Sequence, residues 1–524
     1  MLPTPSRGVS ARIARSSFGL TLTMGLVALA ELGREIVVAR LFGAGPASDA
    51  YYLGISVPLV LRGATLTVAG QVVLPWLCLA SRADVQTSRK YASLLLFLLC
   101  VPLLLLALAS SWLATVIAPW IAGSAIQRPL LVQVLSWALP AVALGAQTAV
   151  LTAYLNSREV YSETALRALI GSLAFVTAVV LLRGLPDGRG LGPAFLMGNA
   201  AELAWLVLLA RPTLTAMRSW RDVPWAPLRQ LLRRAAPPTA AVALRQLGLA
   251  AERVLAGYLG VGAVAILSYS QRMALGVGKI FTEAMHTVVR SKASLAQARG
   301  AQEEMAEVLT QGSRQMWLLM LPIAACVVTL RTPISRVLFE SGQYSSEALA
   351  ATAAMLAAYA ITLPAYGVSP ALMTGFYATG RVMTPSLHQL ALLVANLALD
   401  VLFVRWWGVL GIGVAFVATM ALSLLAAAFL VERRLARLSL WRDARFFAGL
   451  ALGVVCCVAA TWYAWVLLQS FAVHGRLALA SVTGLAGLAG VAAFAAVQLL
   501  LGVKELCMLL RWLQTWLRTR WGRA

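Results

Sequence analysis

The stretch AELGREIVVARLFGAGPASDAYY, residues 30–52, places Arg34, Glu35, Arg40 and Asp49 within or beside an otherwise apolar segment. A segment of this length and apolarity is typical of a membrane-spanning helix. Charged side chains at bilayer depth are costly, and they usually face a protein interior or a water-filled cavity. The stretch therefore indicates a membrane protein whose interior charges serve a purpose.

The composition of the whole chain agrees with this class. Its 524 residues are 60% hydrophobic and only 12% charged, whereas a soluble domain is about a quarter charged. The formal net charge is +23, which in a soluble protein would suggest nucleic-acid binding. In a membrane protein the same excess is expected in cytoplasmic loops. Because no basic segment is long enough to form its own domain, we expect no nucleic-acid partner.

Cysteine and histidine residues show no metal-binding or redox pattern. The six cysteines lack CxxC or metal-ligand spacing, and the three histidines are scattered along the chain. We therefore expect buried, unbridged cysteines, no metal site and no cofactor. No Walker motif is present, and the predicted cytoplasmic loops are too short for a nucleotide-binding domain. Any energy for transport must come from an ion gradient, the membrane potential or removal of the product.

Windows of about 20 apolar residues predict an all-α polytopic membrane protein with fourteen spans. With the N-terminus in the cytoplasm, inner segments receive roughly four times as many Lys and Arg residues as outer segments, as the positive-inside rule requires. Both termini are then cytoplasmic. The predicted spans are 17–42, 50–78, 91–118, 130–155, 163–182, 191–210, 236–258, 263–289, 315–338, 347–376, 383–404, 408–431, 446–470 and 476–503.

An internal repeat relates spans 1–6 to spans 7–12. Aligning EIVVARLFGAGPASDAYY with ERVLAGYLGVGAVAILSY matches Glu35 with Glu252 and Tyr52 with Tyr269. The Gly-x-Gly pairs at 43/45 and 260/262 also match, and they predict tight turns between helices. An even number of spans per repeat gives two parallel repeats, with a substrate path expected between them.

The repeat defines six predicted regions, of which the linker and the tail are basic and amphipathic. Both are expected to lie on anionic membrane lipids at the inner surface. The regions are a cytoplasmic N-terminus (1–16), an N-lobe (17–211), a cytoplasmic linker (212–235), a C-lobe (236–432), a two-helix extension (433–503) and a cytoplasmic tail (504–524).

Arg331, Arg336 and Arg476, toward the outer ends of their spans, are counted with the outer segments. The other basic residues within the predicted spans concentrate on the first two helices of each repeat, and only Arg167 lies elsewhere. They are Arg34, Arg40, Arg62, Arg167, Arg245, Arg253, Arg272 and Lys279. The acidic residues taken as their counter-charges are Glu35, Glu252, Glu283 and Asp49. On span 8, helical spacing places Arg272, Lys279, Glu283 and His286 on one face. Cations in excess at this depth predict a hydrated cavity for an anionic, phosphate-bearing substrate. The alternative is a set of internal salt bridges, such as Arg34 with Glu252 or Arg253 with Glu35.

The stretch GREIVVARLFGAGPASDAYYLGISVPLVLR, residues 33–62, resembles the first helix pair of the MurJ/MviN family. Members of that family are lipid II flippases in the multidrug/oligosaccharidyl-lipid/polysaccharide exporter superfamily. SYSQRM, residues 268–273, resembles the family's motif in helix eight, and two six-helix lobes with a two-helix extension also fit. The resemblance implies that Arg34, Arg62 and Arg272 correspond to essential arginines, and Asp49 to an outer aspartate. These residues would meet the pyrophosphate and sugar of an undecaprenyl-linked precursor.

The resemblance therefore implies a flippase of the bacterial inner membrane that moves an undecaprenyl-pyrophosphate-linked saccharide by alternating access, and not an enzyme. Arg34, Arg62, Arg272 and Lys279 are expected to bind the diphosphate, and Asp49 to serve the outer gate or the headgroup. The supporting residues are Glu35, Glu252, Arg245, Arg253 and Glu283. Cell-envelope polymerases are further candidate partners.

Departures from the family pattern leave the saccharide open. Gly63 stands where the family has a second arginine, and Leu275 where it has an acidic residue. One alternative is a flippase for an exopolysaccharide or O-antigen repeat unit. A cation-coupled drug exporter and a non-transporting scaffold for envelope enzymes are two others. A membrane glycosyltransferase is disfavoured because no large outer loop carries acidic residues.

Overall fold

The computed structural model describes residues 7–74, 76–78, 85–123, 127–214, 244, 246–340, 343–381, 383–435, 443–470 and 475–503. Within these ranges, the side chains of residues 7–22, 67, 71–72, 85, 212–214, 280–281, 283–284 and 287 are not described. The described chain is helical and contains no β-strand. This confirms the predicted all-α class. The predicted amphipathic linker and tail, Arg245 and the side chain of Glu283 lie outside the described residues.

The first part of the chain forms seven α-helices, and a π-helical turn, Ala69–Val73, extends the second of them. Residues 246–257 are also helical. The helices are α1 (Arg7–Phe42), α2 (Pro46–Val68), α3 (Val85–Leu108), α4 (Ser110–Ile121), α5 (Arg128–Asn156), α6 (Ser162–Leu181) and α7 (Leu191–Leu214). The remaining helices are α8 (Ala263–Ala298), α9 (Gln302–Thr329), α10 (Arg331–Phe339), α11 (Ser346–Ile361), α12 (Leu363–Ala378), α13 (Met383–Trp407), α14 (Val409–Arg434), α15 (Ala444–Gln469) and α16 (Arg476–Leu500).

Ten stretches of the described chain are long and apolar enough to cross a membrane. They correspond to predicted spans 3–6 and 9–14, and the full count of fourteen stays a prediction. Predicted span 347–376 consists of two helices, α11 and α12, that meet at Thr362. Pro364 lies in the first turn of α12, where its missing N–H group costs no helical hydrogen bond. Predicted span 91–118 is divided in the same way between α3 and α4.

The chain divides into two compact units. The first comprises Met1–Ser268 with Ser341–Tyr344, and the second comprises Tyr269–Glu340 with Ser345–Ala524. By packing, the helical residues 246–257 belong to the first unit, whereas the repeat in the sequence assigns them to the C-lobe. The predicted boundary at 212–235 lies outside the described residues, so the predicted domain bounds stay a prediction.

Each unit is held by helix packing around small and apolar side chains. In the first unit, α5 packs against α2 and α7, and α6 packs against α1 and α7. In the second, α12 packs against α9 and α14. The two-helix extension α15–α16 packs against α9 and buries Phe446, Cys457 and Phe494 there. Because lipid tails are as apolar as these side chains, close packing rather than water exclusion stabilises such contacts.

Glycines make the turns that the repeat predicted. Gly43, Gly260 and Gly262 have φ values of +60°, +134° and +88°, which confirms tight turns before α2 and α8. Gly45 instead has extended backbone and precedes the first residue of α2. At Gly43 the backbone also lies directly against the Gln343 carbonyl, where an added Cβ atom would overlap the oxygen. This turn therefore requires glycine, because the φ value is positive and because no room is left for a side chain.

We expect Gly43→Ala to destabilise the folded protein by about 1–3 kcal/mol, the cost of a non-glycine residue at a left-handed position with a steric overlap. Thermal unfolding of the detergent-purified protein measures this as a lower apparent Tm. Gly25→Ala is the matched control, because nothing lies within 4 Å of a Cβ atom at Gly25. Equal Tm values for the two variants would contradict the assignment.

Candidate functional site

Arg34 lies on α1 beside a group of aromatic side chains. Its Nη2 atom donates a 2.8 Å hydrogen bond to the Tyr51 hydroxyl on α2. The guanidinium carbon lies 4.3 Å from the Phe175 ring centroid and 5.9 Å from that of Phe195. An arginine over aromatic faces gains cation–π stabilisation that does not neutralise its charge. Arg34 is therefore held in place while 18% of its side chain stays exposed.

Glu35, the next residue on α1, is buried and accepts a hydrogen bond from the Tyr52 hydroxyl. Its Oε1 atom lies 4.0 Å from Nε of Arg34. The two tyrosines thus hold the Arg34–Glu35 pair from the adjacent helix, and Tyr51 and Tyr52 are themselves fully buried. The supporting role of Glu35 toward a substrate stays a prediction.

Arg62, on α2, lies in an ion-paired cluster. Its Nη2 atom donates to both carboxylate oxygens of Glu202, at 2.8 and 2.7 Å, and its Nη1 atom donates to the Asn199 side-chain oxygen at 2.8 Å. Arg167 Nη1 donates to Oε2 of the same carboxylate at 2.7 Å. One carboxylate on α7 therefore faces two guanidinium groups, from α2 and α6. We call Arg62, Arg167, Asn199 and Glu202 the Glu202 cluster.

The Glu202 cluster corrects the charge inventory made from the sequence. Glu202 lies within predicted span 6, Glu31 within span 1 and Asp400 within span 11, yet none of them was counted among the counter-charges. The excess of interior cations is therefore smaller than expected. These three residues could have been identified from the sequence, because each is an acidic residue within a predicted span. Their partners could not be inferred from spacing, because Arg62 and Glu202 are 140 positions apart.

Asp49, in the first turn of α2, is buried against the start of α8. Its carboxylate accepts hydrogen bonds from the backbone N–H groups of Gly262, at 2.6 Å, and Ala265, at 2.8 Å. The Gln127 side chain donates a third, at 3.2 Å. A carboxylate at a helix N-terminus satisfies N–H groups that have no helical partner and complements the helix dipole. The described contacts of Asp49 are thus structural, and its predicted role toward a headgroup or gate stays a prediction.

The helical segment 246–257 supplies further predicted residues. Glu252 and Arg253 are buried, and Arg253 Nη1 donates to the Ser56 hydroxyl at 3.1 Å. The amide end of Gln246 lies against Gly63, where an added Cβ atom would come within 2.5 Å of it. Gly63 therefore leaves space for Gln246, which gives a physical reason for glycine at this position.

Arg272 and Lys279 lie on α8, in the second unit. Arg272 is partly buried and Lys279 is exposed. A ring nitrogen of His286, on the same helix, lies 2.8 Å from the Gly367 carbonyl oxygen of α12. The continuous helix α8 places Arg272, Lys279 and His286 on one face, as predicted. The meeting of these cations with Arg34 and Arg62 at one substrate stays a prediction.

The fold and the interior charges define a polytopic all-α membrane protein with polar clusters inside its helical units. The family model described as "Lipid II flippase MurJ" matches residues 38–483, which is most of the chain. The chain therefore belongs to the MurJ family.

Similar proteins support this membership. The chain is 25% identical to "Lipid II flippase MurJ" of Burkholderia cenocepacia over 408 residues, covering 75% of this chain and 78% of that protein. It is also 25% identical to "Probable lipid II flippase MurJ" of Vibrio cholerae serotype O1, covering 95% and 97%.

Solved structures of the same fold include "Lipid II flippase MurJ, inward closed conformation", with a TM-score of 0.74 and 17% identity over 91% of this chain and 98% of that one. An "inward-facing conformation of a multidrug resistance MATE family transporter" matches with a TM-score of 0.69 and 14% identity, covering 78% and 94%. At these identities the likeness establishes the fold.

We expect Asp49→Asn to destabilise the protein by about 1–3 kcal/mol, because the asparagine amide cannot accept from both backbone N–H groups and leaves a buried polar group unsatisfied. Thermal unfolding of purified protein measures the change. Asp187→Asn is the control, since Asp187 is exposed and its positive φ suits asparagine equally well. An unchanged Tm in Asp49→Asn would contradict the capping role.

Proposed function

We propose that the protein is a flippase for an undecaprenyl-pyrophosphate-linked saccharide of the lipid II type, and that it works by alternating access. The observation that carries this proposal is the pair of partly exposed guanidinium groups, Arg34 and Arg62, inside an apolar helical unit of a MurJ-family chain. Arginine binds phosphate oxygens through two parallel hydrogen bonds, which makes it suited to a diphosphate.

The proposed site is formed by basic side chains. Arg34, Arg62, Arg272 and Lys279 bind the diphosphate, and Asp49 serves the outer gate or the headgroup. Glu35 supports Arg34 from the same helix, and the tyrosines on α2 orient both side chains. The remaining proposed supporting residues are Arg245, Glu252, Arg253 and Glu283.

The proposed setting is the bacterial inner membrane, with both termini in the cytoplasm. The protein acts there as a transporter without a cofactor, and an ion gradient, the membrane potential or removal of the product supplies the energy. Its proposed partners are the lipid-linked saccharide and anionic membrane lipids, with cell-envelope polymerases as further candidates.

A depletion-rescue experiment tests the substrate class. We expect expression of this chain to restore growth to a bacterial strain depleted of its lipid II flippase. Restoration of surface polysaccharide in a strain lacking its polysaccharide flippase, without rescue of the first strain, would instead identify an exopolysaccharide repeat unit as the substrate. Rescue of neither strain, with the protein present in the membrane, would overturn the proposal.

We expect Arg34→Ala and Arg272→Ala to abolish the rescue while leaving the amount of membrane-inserted protein unchanged. Arg34→Lys should also fail or rescue weakly, because lysine keeps the charge but lacks the planar fork that binds a diphosphate and stacks on Phe175. Arg183→Ala is the control, since Arg183 is exposed in the loop after α6. Full rescue by Arg34→Ala and Arg272→Ala would contradict the site.

A further inference from the structure

We propose that Glu202 is a positioning residue that acts as an internal counter-ion. When no diphosphate is bound, the Glu202 carboxylate pairs with the Arg62 guanidinium. When a diphosphate binds Arg62 instead, Glu202 stays paired with Arg167. This inference rests on the proposed function, because it assigns to Arg62 a ligand that competes with Glu202.

The hydrogen bonds of the cluster are arranged for such an exchange. Glu202 Oε1 accepts from Arg62, whereas Oε2 accepts from both Arg62 and Arg167. When Arg62 moves to another anion, Oε2 keeps its 2.7 Å contact with Arg167. A buried carboxylate left without a partner would be strongly unfavourable. The second arginine therefore lowers the free-energy cost of releasing the first.

The two arginines of the cluster are partly exposed. The side chains of Arg62 and Arg167 are 18% and 17% exposed, so an anion can approach them. Glu31, on α1, also interacts electrostatically with Arg167. Arg167 therefore has a second carboxylate near it, and Glu202 is the described carboxylate that competes with an anion for Arg62.

Glycines at the helix contacts position the carboxylate. An added Cβ atom at Gly171, on α6, would lie 2.5 Å from Cγ of Glu202, so only glycine leaves room for this side chain. A Cβ atom at Gly198, on α7, would lie 2.9 Å from the Gly171 carbonyl oxygen. The close approach of α6 and α7 therefore brings Arg167 to Glu202, as small residues permit in membrane helices.

Asn199 fixes the other side of Arg62. Its amide nitrogen donates a 2.8 Å hydrogen bond to the Phe195 carbonyl, which turns its side-chain oxygen toward Arg62 Nη1. Arg62 therefore keeps one neutral acceptor when Glu202 is displaced. The guanidinium stays oriented, and its Nη2 edge becomes available to a phosphate oxygen.

Pyrophosphate binding to the purified full-length protein tests the exchange. Glu202→Gln removes the competing charge with little change of shape, and we expect it to bind inorganic pyrophosphate on the order of tenfold more tightly, the size of one charge-assisted pairing. Arg167→Gln removes the second arginine, so Glu202 pairs with Arg62 without sharing. We expect this variant to bind pyrophosphate more weakly by a similar factor. In the double variant Glu202→Gln/Arg167→Gln, the loss caused by Arg167→Gln should be smaller than in the single variant.

Glu163→Gln is the matched control, because it makes the same substitution at an exposed position of α6 in the same unit. It should leave pyrophosphate affinity unchanged. In the rescue experiment, Glu202→Gln should support less growth than wild type, because a substrate held more tightly is released more slowly. Tighter binding together with poorer rescue is a combination that a purely structural salt bridge does not produce.

Several outcomes would overturn the inference. Unchanged affinity in Glu202→Gln, or weaker binding accompanied by a lower Tm, would show that Glu202 only stabilises the fold. If Glu202→Gln does not fold, Glu202→Asp replaces it. Its shorter side chain reaches two guanidinium groups less well, and unchanged affinity there has the same meaning. A wild-type protein that binds no pyrophosphate would overturn the proposed function together with this inference.

Discussion

The charge balance around Glu202 is the constraint on which the first unit depends. A guanidinium group inside an apolar helical bundle must find an acceptor, and the desolvated carboxylate of Glu202 needs more than one donor. Sharing Glu202 between Arg62 and Arg167 satisfies both needs across three helices, α2, α6 and α7. This shared carboxylate therefore links the three helices of the first unit through charge-assisted hydrogen bonds.

Arg34 and Asp49 are two further charged residues of the first unit, and different contacts stabilise each of them. Arg34 is stabilised by aromatic faces, the Tyr51 hydroxyl and the nearby Glu35 carboxylate. Asp49 is stabilised by backbone N–H groups at the start of α8, which use both of its oxygens. Two charged residues from one short stretch of sequence therefore lie in different environments, one against side chains and the other against backbone N–H groups.

Much of the fold could be predicted from the sequence, because an apolar span and a helical period are local properties. The all-α class, the glycine turns at 43 and 260/262 and the shared face of Arg272 and Lys279 followed in this way. The division of span 347–376 at Thr362 lies beside Pro364, which indicates a kink from the sequence, although the hydropathy window alone runs through it. The sequence predicted which cations form the candidate site. It did not predict their partners, such as Glu202 and Asn199.

The sequence by itself determined which residues are charged at membrane depth, the class of the protein and its resemblance to a family. Only the tertiary structure decided that Glu202 rather than Glu35 or Glu252 holds Arg62, and that Arg167 belongs to the same cluster. The physical reason is that hydropathy and periodicity report on one helix at a time. An ion pair between helices depends on how closely they approach, and here that approach is set by glycines at their crossing.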